Sequence, residues 1–324
     1  MVRHWRRPGQ APLYLEDKKL GASLSPSGLK DFFIFGAIVI RNFLRCGLPV
    51  LWLVLGLQAA AWAKEPAIVL TAFGTTTAAA DTYRYIEGKV KERFPGYEIR
   101  WAFTSQKVRR KVAREQGQDI KDLPQILKEL QSAGFSRVVV QSLHVVPGKE
   151  WQEVLRESRQ VPGLKVAVGK PLLSDATAES LVLAALSRTF PADLKKTAVV
   201  LVGHGTPNPQ AEQTYLDFDK LLRARYPDQP VYLGLVSGKP GRDETLAAIQ
   251  QGGATSVRLV PFLLVAGEHV NTDILGDGPE SWKSLFLAQG ISRVEGVRRG
   301  LGYNDDIINL YLDHLQAAMR GLTD

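Results

Sequence analysis

Two stretches of this chain repeat each other in the same order, and that order restricts the fold more than any other feature. AIVLTAFGTT begins at Ala67 and AVVLVGHGTP at Ala198; VVVQSLHVVPGKE begins at Val138 and VRLVPFLLVAGEH at Val257. The first pair is 131 residues apart and the second 119. Each opens on a continuous apolar run, the pattern of a strand buried on both faces of a parallel sheet. Each run then stops at small residues and a polar loop, which is where open α/β sheets place ligands, outside the carboxyl ends of the strands.

Helical patterning fills the intervals. Strands are predicted over 67–73, 97–103, 136–143 and 164–168, then again over 197–202, 231–236, from 257 through the apolar run, and over 294–297. Helices are predicted after the Gly74–Thr77 turn as far as Phe94, and over 107–116, 122–133, 175–190, 208–226, 242–251, 279–289 and 305–320. Strands alternating with helices imply right-handed crossovers and parallel pairing. The expected fold class is α/β: two similar βαβ-type halves with parallel sheets facing across a cleft. The expected division is a leader over 1–63, an N-terminal half over 64–192 and a C-terminal half over 193–324.

The leader explains a misleading charge. The formal net charge is +8, but residues 1–63 carry eight Lys/Arg and three Asp/Glu, which leaves only +3 for the rest. A nearly balanced body gives no support to nucleic-acid binding. Arg41 and Arg45 precede an apolar run from Gly47 to Leu57, and Ala61-Trp62-Ala63 precedes Lys64. A basic flank, a short apolar core and an A-x-A site match a secretory signal cleaved near Ala63. The run is shorter than the ~20 apolar residues of a membrane span, so any membrane attachment is expected only through an uncleaved leader. The expected location is periplasmic. Cys46, the one cysteine, lies in the leader, so a disulfide or thiolate metal site in the body is excluded.

Four histidines remain in the body: His144, His204, His269 and His314. His314 sits in a helical pattern and reads as surface or packing. The other three each follow a predicted strand. Neutral imidazoles there can bind a first-row divalent metal or accept protons near neutral pH. In the internal alignment, Phe73 stands where the second half has His204, and Glu150 where it has His269. Gly74-Thr75-Thr76-Thr77 at a helix start can hold an anion, but no full phosphate-loop pattern is present, and no nucleotide is expected.

AFGTT from Ala72, AFTS from Ala102, LHVVPG from Leu143, GHGT from Gly203 and above all AGEHVNTDILGDGPESWKS from Ala266 resemble the anaerobic cobalt chelatase family, the CbiK type, which is related in fold to the ferrochelatases. The resemblance runs from about Ala67 to the C-terminus. It implies insertion of Co²⁺ into sirohydrochlorin on the route to cobalamin, with Fe²⁺ or Ni²⁺ as other candidate metal substrates. It also implies that two histidines and a glutamate converge on the metal, and by motif His204 and His269 carry the two histidine roles. The glutamate belongs in a Val-Glu-Gly triplet that here reads Val236-Ser237-Gly238, so the acid is missing. Glu268 is the alternative carboxylate for the metal. Lys239, Arg242, Arg109 and Arg110 are candidate partners for the carboxylates of the tetrapyrrole. His144 occupies a family-like position whose role is left open between structural use and a surface metal or haem ligand. A homo-oligomer is compatible with this reading. The rival readings are an exported tetrapyrrole- or metal-binding protein that has lost turnover, motivated by Ser237, and a metal scavenger coupled to transport.

Overall fold

The computed structural model describes residues 64–322, and the predicted signal and cleavage site lie outside the described residues. Eight strands are found among the described residues: β1 Ala67–Ala72, β2 Ile99–Phe103, β3 Arg137–Ser142, β4 Lys165–Gly169, β5 Thr197–Gly205, β6 Val231–Ser237, β7 Ser256–Pro261 and β8 Arg293–Gly296. They form two four-stranded sheets of identical order, β2-β1-β3-β4 and β6-β5-β7-β8, with parallel pairing throughout. The internal repeat extends to register. Ala67 pairs with Val138 in the first sheet, and its counterpart Ala198 pairs with Val257 in the second.

The α-helices are α1 Asp81–Arg93, α2 Gln106–Gln116, α3 Leu123–Ser132, α4 Lys149–Glu157, α5 Ala176–Ser187, α6 Pro209–Arg225, α7 Arg242–Gln251, α8 Trp282–Ala288 and α9 Asp305–Arg320. Side-chain alternation sorts the strand residues into layers. Ala67 and Val69 of β1 pack outward against Leu127 and Leu130 of α3. Val200 and Val202 of β5 pack outward against Ile249 of α7 and Phe286 of α8. The intervening residues, Ile68 and Leu70 on one sheet and Val199 and Leu201 on the other, join a single middle cluster. That cluster is filled by Ile86 of α1, Leu186 of α5, Phe218 of α6 and Tyr311 of α9. No helix among the described residues is long and apolar enough to cross a membrane.

Three local features depart from the expectations. Helix α4 was not anticipated, because it has only nine residues and its apolar stripe, Trp151, Val154 and Leu155, spans little more than one turn. Strand β5 runs on through Gly205, so His204 lies on the strand and not beyond it. Helix α9 follows the second sheet in sequence but returns to the first. The buried Tyr311 hydroxyl donates to the Leu143 carbonyl at 3.0 Å, beyond the end of β3, and the Lys165 ammonium donates to the Leu322 carbonyl at 3.0 Å.

Candidate metal site

The two halves meet through loops at the carboxyl ends of their strands, and the contacts follow the repeat. A Cβ at Gly267, in the loop after β7, would lie 2.9 Å from Thr75 Oγ1 in the loop after β1. A Cβ at Gly148, its counterpart after β3, would lie 3.5 Å from Ala211 Cβ in the first turn of α6. In each half, therefore, the loop after the third strand abuts the segment that follows the first strand of the other half. Buried tyrosines mirror this arrangement: the Tyr83 hydroxyl engages the Gly74 backbone and the Tyr215 hydroxyl the Gly205 backbone.

His204 and His269 come together at this edge. Their ring centroids are 4.6 Å apart with planes at 75°. His204 is exposed and His269 half-buried. The hydrogen bonds determine which nitrogen of each ring is free. Nδ1 of His204 lies 3.1 Å from the Gly205 carbonyl, an acceptor, so Nδ1 must carry the proton. Nδ1 of His269 lies 2.5 Å from Asp273 Oδ2, another acceptor. In the neutral form both rings thus present a bare Nε2, the nitrogen able to bind a metal or take a proton.

The backbone from Glu268 onward explains the second of these bonds. The segment is helical and widens into a π-turn over Val270–Ile274, where the Leu275 N–H donates to the Val270 carbonyl at 2.9 Å. On a helix, residues four apart are neighbours. Asp273 therefore reaches His269, while Glu268 is exposed and its carbonyl accepts from Thr272 Oγ1 at 2.9 Å. Asp273 was visible in the sequence, but the four-residue spacing meant nothing until the segment was helical. Among the described residues no group of three or more His, Cys, Asp or Glu could hold a metal ion, so Glu268 does not join the two histidines in such a set. Ser237 is exposed at the end of β6 and pairs in register with Gly205, next to His204. An Asp273→Asn variant is expected to lose about 10–100-fold in metal affinity or insertion rate, read by metal titration and steady-state assay, because the carboxylate holds the ring's orientation and fixes the proton on Nδ1.

The basic candidates divide. Arg109 faces inward: Nη1 donates to the Phe103 and Thr104 carbonyls at 2.5 and 3.1 Å, and Nη2 pairs with Asp122 at 3.4 Å. Arg242 is held by Asp243 at 3.2 Å and by the Glu280 carbonyl at 2.5 Å. Lys239 is exposed and reaches Glu244 at 3.8 Å. Arg110 is exposed.

His144 has a different character. Its Nδ1 lies 2.9 Å from Ser142 Oγ and its Nε2 3.3 Å from Thr104 Oγ1, so both ring nitrogens are engaged within the first half. Burial pushes its pKa down to about 4. The sign of the effect follows. Above pH 6.5 the ring is neutral in folded and unfolded chains and contributes nothing. As pH falls from 6.5 through 4, the unfolded chain takes up a proton that the folded one refuses, and stability is lost. His144→Gln is expected to remove roughly 2 kcal/mol of the stability lost between pH 7 and pH 4.5, as read by urea melts at the two pH values. Equal losses in variant and wild type would show that His144 is not the group responsible. His314 is half-buried on α9, with Nδ1 3.1 Å from the Lys170 carbonyl, and burial lowers its pKa.

Known proteins share both the sequence and the architecture. The family model described as cobalt chelatase (CbiK) matches residues 66–320. Sirohydrochlorin cobaltochelatase CbiKC of Nitratidesulfovibrio vulgaris is 39% identical over 266 residues, covering 79% of this chain and 92% of that protein. Sirohydrochlorin cobaltochelatase of Salmonella typhimurium is 32% identical over 227 residues, covering 69% and 84%. The structure of SirB from Bacillus subtilis with Fe³⁺ superposes with a TM-score of 0.56 at 15% identity, covering 80% of this chain and 97% of that one, a likeness of fold alone. With a family model spanning nearly all the described residues and its histidines paired at the edge of the second sheet, the chain belongs to the cobalt chelatase (CbiK) family.

Proposed function

We propose that this chain is a sirohydrochlorin cobaltochelatase, inserting Co²⁺ into sirohydrochlorin in anaerobic cobalamin biosynthesis. The observation that carries the mechanism is the pair of imidazoles 4.6 Å apart, each with Nδ1 tied to an acceptor and Nε2 free. In the reaction the macrocycle loses two pyrrole N–H protons, and the metal forms bonds to the ring nitrogens. A bare Nε2 can hold the incoming ion weakly before transfer, and it can accept a pyrrole proton once the ion has left it. Asp273 stabilises the imidazolium that would form at His269. A site with few protein ligands suits a metal that must be released to the macrocycle. The test is to incubate the protein with metal-free sirohydrochlorin and Co²⁺, following the change in absorbance. A rate no faster than the uncatalysed one would sink the proposal. Fe²⁺ and Ni²⁺ in the same assay measure metal preference.

Ser237 favours a second reading, an exported tetrapyrrole- or metal-binding protein without turnover. Ser237→Glu separates the two. A carboxylate beside His204 is expected to tighten Co²⁺ binding, as seen by calorimetric titration. If insertion appears only in this variant, the binding-protein reading holds; brisk insertion by wild type excludes it. Export to the periplasm with cleavage near Ala63 is part of the proposal and rests on the leader sequence. N-terminal sequencing of the protein recovered from the periplasmic fraction tests it.

A further inference from the structure

His204 stands between two glycines, and the strand accounts for the first of them. Side chains alternate along β5. Gly203, like Val199 and Leu201, faces the middle layer, where it pairs with Leu235 of β6. A Cβ at Gly203 would lie 3.1 Å from Cε1 of Tyr215 and 3.1 Å from Leu235 Cδ2. The bare backbone at Gly203 is what lets the tyrosine ring of α6 lie against the strand. Two residues on, the hydroxyl of the same ring engages the Gly205 backbone. Tyr215 therefore underlies the strand at His204, meeting the residue before it and the residue after it.

The hydroxyl is unusual in its surroundings. Tyr215 is 3% exposed and belongs to the apolar middle cluster, where its neighbours Phe218 and Leu235 carry no polar side-chain atom. Burying a hydroxyl without a partner costs roughly 1–3 kcal/mol, so a phenylalanine would fill this position at no such cost unless the contact with Gly205 is used. Burial also pushes the phenol pKa up, which keeps the group neutral. The peptide it meets is the one that orients the imidazole, since the Gly205 carbonyl is the acceptor 3.1 Å from His204 Nδ1. Gly205 is held by Tyr215 on one side and by its pairing with Ser237 of β6 on the other. Its carbonyl fixes the proton on Nδ1 and leaves Nε2 bare.

The first half supplies the comparison. Tyr83 of α1 engages Gly74 as Tyr215 engages Gly205, but its ring packs on Trp101 and Phe103, at centroid distances of 5.0 and 5.4 Å. The residue before Gly74 is Phe73, so there is no imidazole to orient. We propose that Tyr215 is the positioning residue for His204: through the Gly205 peptide it sets the orientation of the ring and the direction in which the free Nε2 points. Each imidazole then has its own support, Asp273 for His269 and the Tyr215-held peptide for His204. The consequence for metal insertion rests on the chelatase reading above; the effect on the His204 ring does not.

The test is Tyr215→Phe in the full-length protein, with Tyr83→Phe as the matched control, since each change deletes one buried hydroxyl beside a glycine. Nitrogen NMR of the imidazoles reads the His204 tautomer with no ligand present. Co²⁺ titration without tetrapyrrole reads metal affinity, and steady-state assay with sirohydrochlorin separates kcat from KM. In Tyr215→Phe the Nε2-protonated tautomer of His204 is expected to appear. Co²⁺ affinity and kcat are expected to fall about tenfold each, with the sirohydrochlorin KM unchanged. Tyr83→Phe is expected to lose comparable stability on thermal denaturation and to change none of these. A Tyr215→Phe protein with the wild-type tautomer, Co²⁺ affinity and kcat overturns the inference. Equal falls in kcat for the two variants also overturn it, because the hydroxyls would then serve the fold alike in both halves. A wild type that does not metallate sirohydrochlorin overturns the chelatase reading, and the tautomer and Co²⁺ affinity still decide the role of Tyr215.

Discussion

His204→Ala combined with His269→Ala is expected to reduce cobalt insertion to the uncatalysed rate while leaving the fold intact. Either change alone should cost about 10²–10⁴-fold, the usual contribution of a positioned acid–base group. The double variant should be little worse than the more damaging single one, because groups that act as a unit are not additive. His204 is exposed, and its bonded partner is the carbonyl of the adjacent Gly205. Its removal is therefore expected to change stability by no more than about 0.5 kcal/mol. Steady-state assay and thermal denaturation on the same preparations separate the two effects. A double variant that retains wild-type insertion would remove the imidazoles from the mechanism.

The second large effect concerns the backbone that carries His204. Gly205 has φ +82°, and a Cβ placed there would lie 1.5 Å from the Ser237 carbonyl oxygen. That oxygen is main chain of the neighbouring strand, paired in register with Gly205, and cannot swing aside. Gly205→Ala therefore combines the cost of a left-handed alanine with forced separation of β5 from β6. About 3–5 kcal/mol of destabilisation is expected. That corresponds to roughly 10 °C in Tm for a domain of this size. Gly253→Ala is a suitable control, since its φ is +71° but nothing lies within 4 Å of an added Cβ. It should cost only the conformational penalty, about 1–2 kcal/mol. If the two variants melt alike, close strand approach at Gly205 is not what requires glycine there.

The strand–helix alternation was legible in some detail. Arg242–Gln251 and Asp305–Arg320 are helical over the ranges that periodicity and Gly punctuation indicate, and the pairs Ala67–Val138 and Ala198–Val257 align in the sheets as they do in the sequence. These features follow from patterns within a few residues: a continuous apolar run, a 3.6-residue stripe, a glycine at a turn. Helix α4 was missed because its stripe, Trp151, Val154 and Leu155, spans little more than one turn. Two short motifs singled out His204 and His269 in the sequence, and the structure brings the two rings together, with centroids 4.6 Å apart.

What the local pattern could not supply was the environment of those imidazoles. Glu268 was the alternative metal carboxylate by its place beside His269, but the helical turn after Gly267 brings Asp273 to the ring and leaves Glu268 in solvent. Likewise only packing decided that Tyr311, from the last helix, anchors the end of β3 beside His144. By itself, then, the sequence determined the two-sheet repeat and the residue types at each strand end, since both are set by short-range periodicity. Tertiary structure alone decided which acid meets which histidine and which nitrogen is left free, because those depend on backbone torsions and on register between segments some sixty residues apart.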